Sequence, residues 1–157
     1  MVIVGDSHPE QFSGALIPLA QENNWQPVSL LLGGWDFGSG TGNGAKCRDF
    51  NKAAMDYILN LKPDAVFTVA TDAVPDSPEE TIIPGYEQAV QAFTEANIEV
   101  SASATTPAFL TNKASCVAKS GADESLFQQS AYLAGSNPAE SLNESPAAHM
   151  IDLTDQY

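Results

Sequence analysis

The chain opens with MVIVGDSH, residues 1–8, and this stretch decides the fold. Val2, Ile3 and Val4 form a continuous apolar run, which is typical of a strand that is covered by helices on both faces. Gly5 permits a sharp bend, and the polar residues after it suit the first turn of a helix. The stretch therefore predicts a strand, a tight turn and a helix.

The rest of the sequence repeats this alternation of short apolar runs and amphipathic stretches. Apolar runs predict strands at Met1–Val4, Val28–Leu32, Ala65–Ala70, Ile98–Ser103 and His149–Leu153. Apolar residues at helical spacing predict helices that include Phe12–Ala20, Phe50–Leu61, Tyr86–Phe93 and Leu126–Leu133. Right-handed crossovers between parallel strands then give an α/β fold, a three-layer αβα sandwich with a five-stranded flavodoxin-like sheet of strand order 2-1-3-4-5.

Length and charge limit the classes of function. The 157 residues, 43% of them hydrophobic, suit a single domain spanning 1–157. Twenty acidic residues against six basic ones give a net charge of −14, which repels phosphate backbones and anionic lipids, so we expect no nucleic-acid partner. No apolar run is long enough to predict direct membrane insertion, and the first residues do not have the pattern expected of a signal peptide. The abrupt apolar start predicts that the chain is a piece truncated at its beginning.

In a sheet of this kind, ligands bind beyond the carboxyl ends of the strands. The first loop there is Gly5-Asp6-Ser7-His8, in which Ser7 is either a helix cap or a nucleophile. In the third loop, only Thr71 and Asp72 follow their strand closely enough to form the rim of a site beside Ser7.

The second loop, residues 33–44, contains six glycines in twelve residues. It matches neither nucleotide-binding fingerprint, because Asn43 stands where a third glycine is needed and Lys46 is followed by Cys47. We therefore expect no nucleotide and no other cofactor. Gly33 and Gly34, directly at the strand end, are the better functional candidates in this loop.

The two cysteines, Cys47 and Cys116, have no spacing that suggests zinc, and we expect no metal. They form one disulfide with each other or remain unpaired thiols. Spacing does not decide between these alternatives.

The order of these features resembles the SGNH (GDSL-type) hydrolase superfamily. More narrowly, it is similar to the extracytoplasmic SGNH domains that are fused behind membrane acyltransferase domains in bacterial glycan O-acetyltransferases. The matching segments are residues 2–8, 15–16 with Ala20 and Trp25, Cys47 ahead of a helix, 62–67 and 150–155. The resemblance implies acyl transfer or ester hydrolysis on an extracellular glycan or small ester. It also implies an extracytoplasmic location and a partner, the membrane acyltransferase domain of the parent chain.

The resemblance also implies residue roles. Ser7 is the expected nucleophile, supported by Gly5, Asp6 and His8 of the same motif. The amides of Ser7 and of Gly34, with Gly33 as the alternative, are the expected donors to the oxyanion. The asparagine that supplies a third donor in many members is missing, since this place reads Ala70-Thr71-Asp72. Trp35 and Phe37 either stack on a sugar ring or belong to the core.

The family supplies its catalytic base in an Asp-x-x-His motif after the last strand, and this sequence has no such motif. Only His8 and His149 are available. His8 points away from its neighbour Ser7, and His149 opens the last strand at the end away from the site. We therefore expect a catalytic domain without its final segment, nearly inactive by itself. The family suggests that Cys47 and Cys116 pair with cysteines of that segment.

Two alternatives remain open. One is a non-catalytic binding or regulatory module of the same fold, which the missing base and missing asparagine favour. The other is an unrelated flavodoxin-like domain that binds a small molecule, in which Ser7 is merely a helix cap.

Overall fold

The computed structural model describes residues 1–38, 44–73, 80–104 and 148–151. In chain order, the described elements are β1 (Val2–Gly5), α1 (Ser7–Glu22), β2 (Val28–Leu31), α2 (Ala45–Leu61), β3 (Ala65–Val69), β4 (Thr71–Ala73), β5 (Glu80–Ile82), α3 (Tyr86–Glu95), β6 (Glu99–Ser103) and β7 (Ala148–Ile151). The fourth predicted helix, residues 126–133, and Cys116 lie outside the described residues.

Five parallel strands form the main sheet, in the order β2-β1-β3-β6-β7. This is the predicted order 2-1-3-4-5, because β6 and β7 are the fourth and fifth predicted strands. Each strand begins and ends within about two residues of its prediction wherever the residues are described. The parallel α/β fold is therefore confirmed.

Helices cover both faces of this sheet. Ala54 and Ile58 of α2 and Phe93 of α3 belong to one buried cluster with Val4 and Val66. Successive residues of a strand face opposite sides, so Phe67 points to the other face. There the ring of Phe12, from α1, meets the ring of Phe67 at 5.3 Å between centroids. The result is the predicted three-layer sandwich.

The end of α2 and the start of α3 lie where the sequence predicts. α2 stops at Leu61, and Lys62 turns into the left-handed region with φ of 50° just before Pro63. α3 begins after Gly85, whose φ of 77° suits glycine. No helix among the described residues is long and apolar enough to cross a membrane.

The sequence did not predict the hairpin of β4 and β5. Thr71, Asp72 and Ala73 pair antiparallel with Ile82, Thr81 and Glu80. These three-residue strands are mostly polar, so no apolar alternation indicates them. Main-chain bonds tie the hairpin to the sheet, since the Ala70 amide donates to Ser103 and the Ile83 amide donates to Ala70. The segment after β3 was predicted as a loop, and its described residues instead form this hairpin.

Candidate functional site

The turn between β1 and α1 depends on Gly5. Its φ of 138° lies where residues with a side chain are strained, and a Cβ there would come within 2.8 Å of Pro9 Cγ. Pro9 is buried in the first turn of α1, where its ring removes no helical hydrogen bond. Close packing of Gly5 and Pro9 therefore starts the helix directly at the strand end.

Asp6, rather than Ser7, caps α1. The Asp6 carboxylate accepts a hydrogen bond from the His8 amide at 2.8 Å. Ser7 is the first residue of the helix and is exposed. Its hydroxyl has no hydrogen-bond partner in the ranges that the structure describes. The cap therefore leaves the Ser7 hydroxyl available for other chemistry.

Asp6 also holds the side chain of His8. His8 Nδ1 lies 3.0 Å from Asp6 Oδ2. This hydrogen bond raises the pKa of His8 against the opposing effect of burial, and the negative charges of Asp36 and Asp72 add to the rise. Burial raises the pKa of Asp6, but the hydrogen bonds from His8 outweigh it and the pKa lies below its ordinary value. Asp6 and His8 thus form a hydrogen-bonded pair beside Ser7, which is an ion pair when His8 is protonated.

A shallow, open cleft lies against this pair, and the space of about 250 Å³ assigned to it includes open solvent. Its walls come from the β1–α1 turn, the loop after β2, the end of β3 and the β4–β5 hairpin. The lining residues are Gly5, Asp6, His8, Pro9, Asp36, Phe37, Thr68, Val69, Thr71, Asp72 and Ile83. The predicted rim residues Thr71 and Asp72 therefore lie in one cleft with the motif residues Gly5, Asp6 and His8.

Sequence reasoning missed two polar residues of the cleft, Asp36 and Thr68. Burial raises the pKa of Asp36, and the charges of Asp72 and Asp6 raise it further. Next to it, Phe37 is buried and its ring stacks parallel to that of Phe93, which fixes this part of the loop on the core. The nearest signal in the sequence was the pair of aromatic residues around Asp36 in a glycine-rich loop.

Gly33 and Gly34 lie at the same sheet edge as Ser7. The Leu32 amide donates to the Gly5 carbonyl at 2.9 Å, so the ends of β2 and β1 are side by side. Gly34 has a φ of 76°, but neither glycine is among the described residues that line the cleft. Trp35, half-buried, is also outside that lining. Gly33 and Gly34 therefore share a sheet edge with Ser7, but the described lining of the cleft includes neither of them and does not include Trp35.

Within the described ranges, neither histidine forms a hydrogen bond with Ser7. His8 is adjacent to Ser7, and its Nδ1 is bonded to Asp6. His149 is exposed on β7, where it pairs with Ser101 of β6, and β3 and β6 separate this strand from β1.

Cys47 is buried near the start of α2, and burial raises the pKa of its thiol. It has no disulfide partner within the described ranges, and Cys116 lies outside them, so the pairing of the cysteines stays a prediction. Within those same ranges, no group of histidine, cysteine and carboxylate side chains is arranged to hold a metal ion.

Comparison with known proteins gives one informative result. The family model described as "SGNH domain (fused to AT3 domains)" matches residues 1–157. No curated protein and no solved structure was found to match the chain. The family model covers the whole sequence, including the parallel strands and the Gly-Asp-Ser-His turn that follows the first of them. The chain therefore belongs to the family of SGNH domains that are fused to AT3 domains.

Proposed function

We propose that this domain transfers or hydrolyses O-acyl groups of an extracellular glycan, with Ser7 as the nucleophile. The family is fused to AT3 acyltransferase domains, which supports a role in acyl chemistry. In this proposal the domain works on the extracytoplasmic side of a membrane, together with the acyltransferase domain of its parent protein.

One observation carries the assignment of Ser7. Asp6 provides the cap of α1, so Ser7 stands at the helix start with an exposed and unengaged hydroxyl. A serine that served only as a cap would direct its oxygen to a helix amide. At this position the first amides and the dipole of a helix favour the negative oxygen of a tetrahedral intermediate. The Ser7 and Gly34 amides are the proposed donors to that oxygen.

The chemistry proceeds in two steps. Ser7 Oγ attacks the acyl carbon, the bond from this carbon to the alcohol oxygen breaks, and the alcohol leaves with a proton. Water or a glycan hydroxyl then attacks the acyl-serine and releases Ser7. Both steps need a base that takes the proton of the attacking hydroxyl group. Since His8 is bound to Asp6 and His149 is remote, we propose that this base comes from an Asp-x-x-His segment, as in the family.

Hydrolysis of 4-nitrophenyl acetate tests the proposal. The assay compares the 157-residue chain with any longer form that carries a downstream Asp-x-x-His segment, each with and without Ser7→Ala. We expect low activity in the chain alone, higher activity in the longer form, and a loss of at least about 1,000-fold in kcat on Ser7→Ala. Ser13→Ala, in the same helix, is the matched control and should keep full activity. Activity that survives Ser7→Ala would overturn the assignment.

A second candidate is a glycan-binding module without catalysis. The lack of a hydrogen bond between Ser7 and either histidine in the described ranges favours it. It predicts that the longer form is as inert as the chain alone but still binds the acylated glycan.

A further inference from the structure

A buried side-chain amide connects α2 to the loop after β2. The buried residues of α2 are Cys47, Asn51, Ala54 and Ile58, and Asn51 is the polar one, with an exposed fraction of 1%. Its Nδ2 donates a hydrogen bond to the main-chain carbonyl of Asp36 at 3.1 Å. Burying an amide is unfavourable unless it forms hydrogen bonds, so this contact accounts for a polar side chain at an otherwise apolar position.

The same amide has another acceptor one helical turn earlier. Nδ2 of Asn51 lies 3.8 Å from Cys47 Sγ, within reach of a hydrogen bond to sulfur. An amide nitrogen carries two hydrogens, so it can donate to the Asp36 carbonyl and to this sulfur together. The side chain is thus held in one orientation, with its nitrogen towards the loop.

The loop after β2 needs such a fixed point because it begins with two glycines. The Leu32 amide donates to the Gly5 carbonyl at 2.9 Å, which fixes the start of the loop on β1. Residues 33–35 separate this bond from the carbonyl that Asn51 holds. Glycine adopts many backbone conformations, and Gly34 has a φ of 76° here. With both ends fixed, these three residues have few conformations left.

Phe37 holds the same part of the loop in a different way. Its ring is 2% exposed and stacks parallel to the ring of Phe93 at 6.1 Å between centroids. Stacking places the ring but does not by itself set the direction of the preceding carbonyl. A hydrogen bond to a carbonyl oxygen has a preferred direction. Asn51 therefore orients the peptide group between Asp36 and Phe37.

We propose that Asn51 is a positioning residue for the acyl chemistry: it holds the loop after β2 so that the Gly34 amide keeps the direction in which it donates to the oxyanion. This inference rests on the proposed function, in which the amides of Ser7 and Gly34 stabilise the tetrahedral intermediate. An oxyanion donor is most effective when it is held in place before the reaction, because no reorganisation is then needed as the charge develops. Asn51 acts through the loop and does not contact the substrate.

Backbone dynamics of the unaltered 157-residue chain give the first test, which needs no variant. NMR relaxation reports the fast motion of each main-chain amide. We expect an order parameter of about 0.85 for the Gly34 amide, as in the strands of the sheet, because the loop is fixed at both ends. A value below about 0.6 would show that the loop is not held and would overturn the proposal.

Asn51→Leu removes the amide and keeps the branching of the side chain. We expect the order parameter of the Gly34 amide to fall. In the longer form that carries an Asp-x-x-His segment, kcat for 4-nitrophenyl acetate should fall about tenfold, since a misaligned donor costs less than a missing one. KM should change by less than about twofold, because the donor acts on the transition state. A merely structural role would not separate kcat from KM in this way.

Ile58→Val is the matched control. Ile58 is a fully buried residue of the same helix, about two turns further along α2. Its shortening loosens the packing of α2 without removing a bond to the loop, so kcat and the Gly34 amide should stay unchanged. Urea unfolding shows that both variants are folded under the assay conditions. If Ile58→Val lowers kcat as much as Asn51→Leu does, the effect is one of general packing and the role of Asn51 is wrong.

The proposed function and the role of Asn51 fail in different ways. Activity that survives Ser7→Ala overturns the proposed function and, with it, the catalytic purpose of the held loop. If Ser7 is essential and Asn51→Leu leaves kcat unchanged, the proposed function stands and Asn51 has no positioning role.

Discussion

At the scale of single residues, Asp6 determines the character of the turn. Its carboxylate accepts a hydrogen bond from the His8 amide, which caps the helix, and also contacts the His8 ring. Ser7 therefore neither caps the helix nor binds His8. Sequence reasoning treated Asp6 and His8 only as support for the motif. It could not separate a capping serine from a free one, because both have the same sequence around them.

The ion pair of Asp6 and His8 predicts a pH dependence of stability. The pKa of His8 is raised in the folded state, so its contribution is complete below about pH 6.5 and is lost as the pH rises through the folded pKa. The pKa of Asp6 is lowered, so its contribution is present above about pH 3.9 and is lost as the pH falls through the folded pKa. The pair should therefore stabilise the fold most between these two limits.

His8→Gln tests this dependence by thermal unfolding across the pH range. We expect a loss of about 0.5 kcal/mol near pH 5, because the ring is partly exposed and solvent screens the pair, and a smaller loss near pH 9. His149→Gln is the control, since it removes an exposed histidine of β7. A loss from His8→Gln that grows with pH would contradict the ion pair.

At the scale of elements, strands and helices with strong apolar patterns were predictable and the polar hairpin was not. β1 and β3 are apolar runs that the sheet buries, and α2 ends where Pro63 requires. The hairpin of β4 and β5 depends instead on main-chain bonds to Ala70. Such bonds can form with almost any residue, so they leave little trace in the sequence.

Tyr86, the first residue of α3, is 1% exposed, and its hydroxyl has no hydrogen-bond partner among the described residues. Tyr86→Phe removes a buried polar group and keeps the ring. We expect the free energy of unfolding to rise by up to about 1 kcal/mol, measured by urea unfolding. Tyr57→Phe, on the exposed side of α2, is the control and should change it by less than about 0.5 kcal/mol. A clear destabilisation by Tyr86→Phe would mean that its hydroxyl has a partner elsewhere in the chain.

At the scale of the whole molecule, the net charge of −14 affects the stability of the fold as well as the kinds of partner that the domain can bind. Twenty carboxylates on one small domain repel one another, and salt shortens the range of this repulsion. We expect the melting temperature to rise by several degrees between about 10 mM and about 200 mM NaCl, since the screening length falls from about 30 Å to below 10 Å. Scanning calorimetry would measure it, with sucrose of equal osmolality as the control. A flat or falling melting temperature would show that the repulsion is already compensated in the fold.

The site as a whole was only partly predictable. Rules for parallel sheets placed Ser7 and Asp72 at one edge, because both follow the carboxyl ends of neighbouring strands, and of the two Asp72 is among the described residues that line the cleft. The same rules could not find Asp36, whose position depends on how Phe37 anchors its loop against Phe93. Thr68 was hidden because it reads as part of an apolar strand.

The parts of the cleft also differ in when they can form during folding. Gly5, Asp6 and His8 are sequence neighbours, so the Ser7 turn needs only local contacts. Asp36 and Asp72 reach it only after the chain has closed the crossovers through α1 and α2, and parallel pairing across such loops is slow because loop closure costs entropy. A chain in mid-synthesis would therefore carry its serine turn before the two aspartates that complete the cleft, and the cleft would form only after β3 has paired with β1.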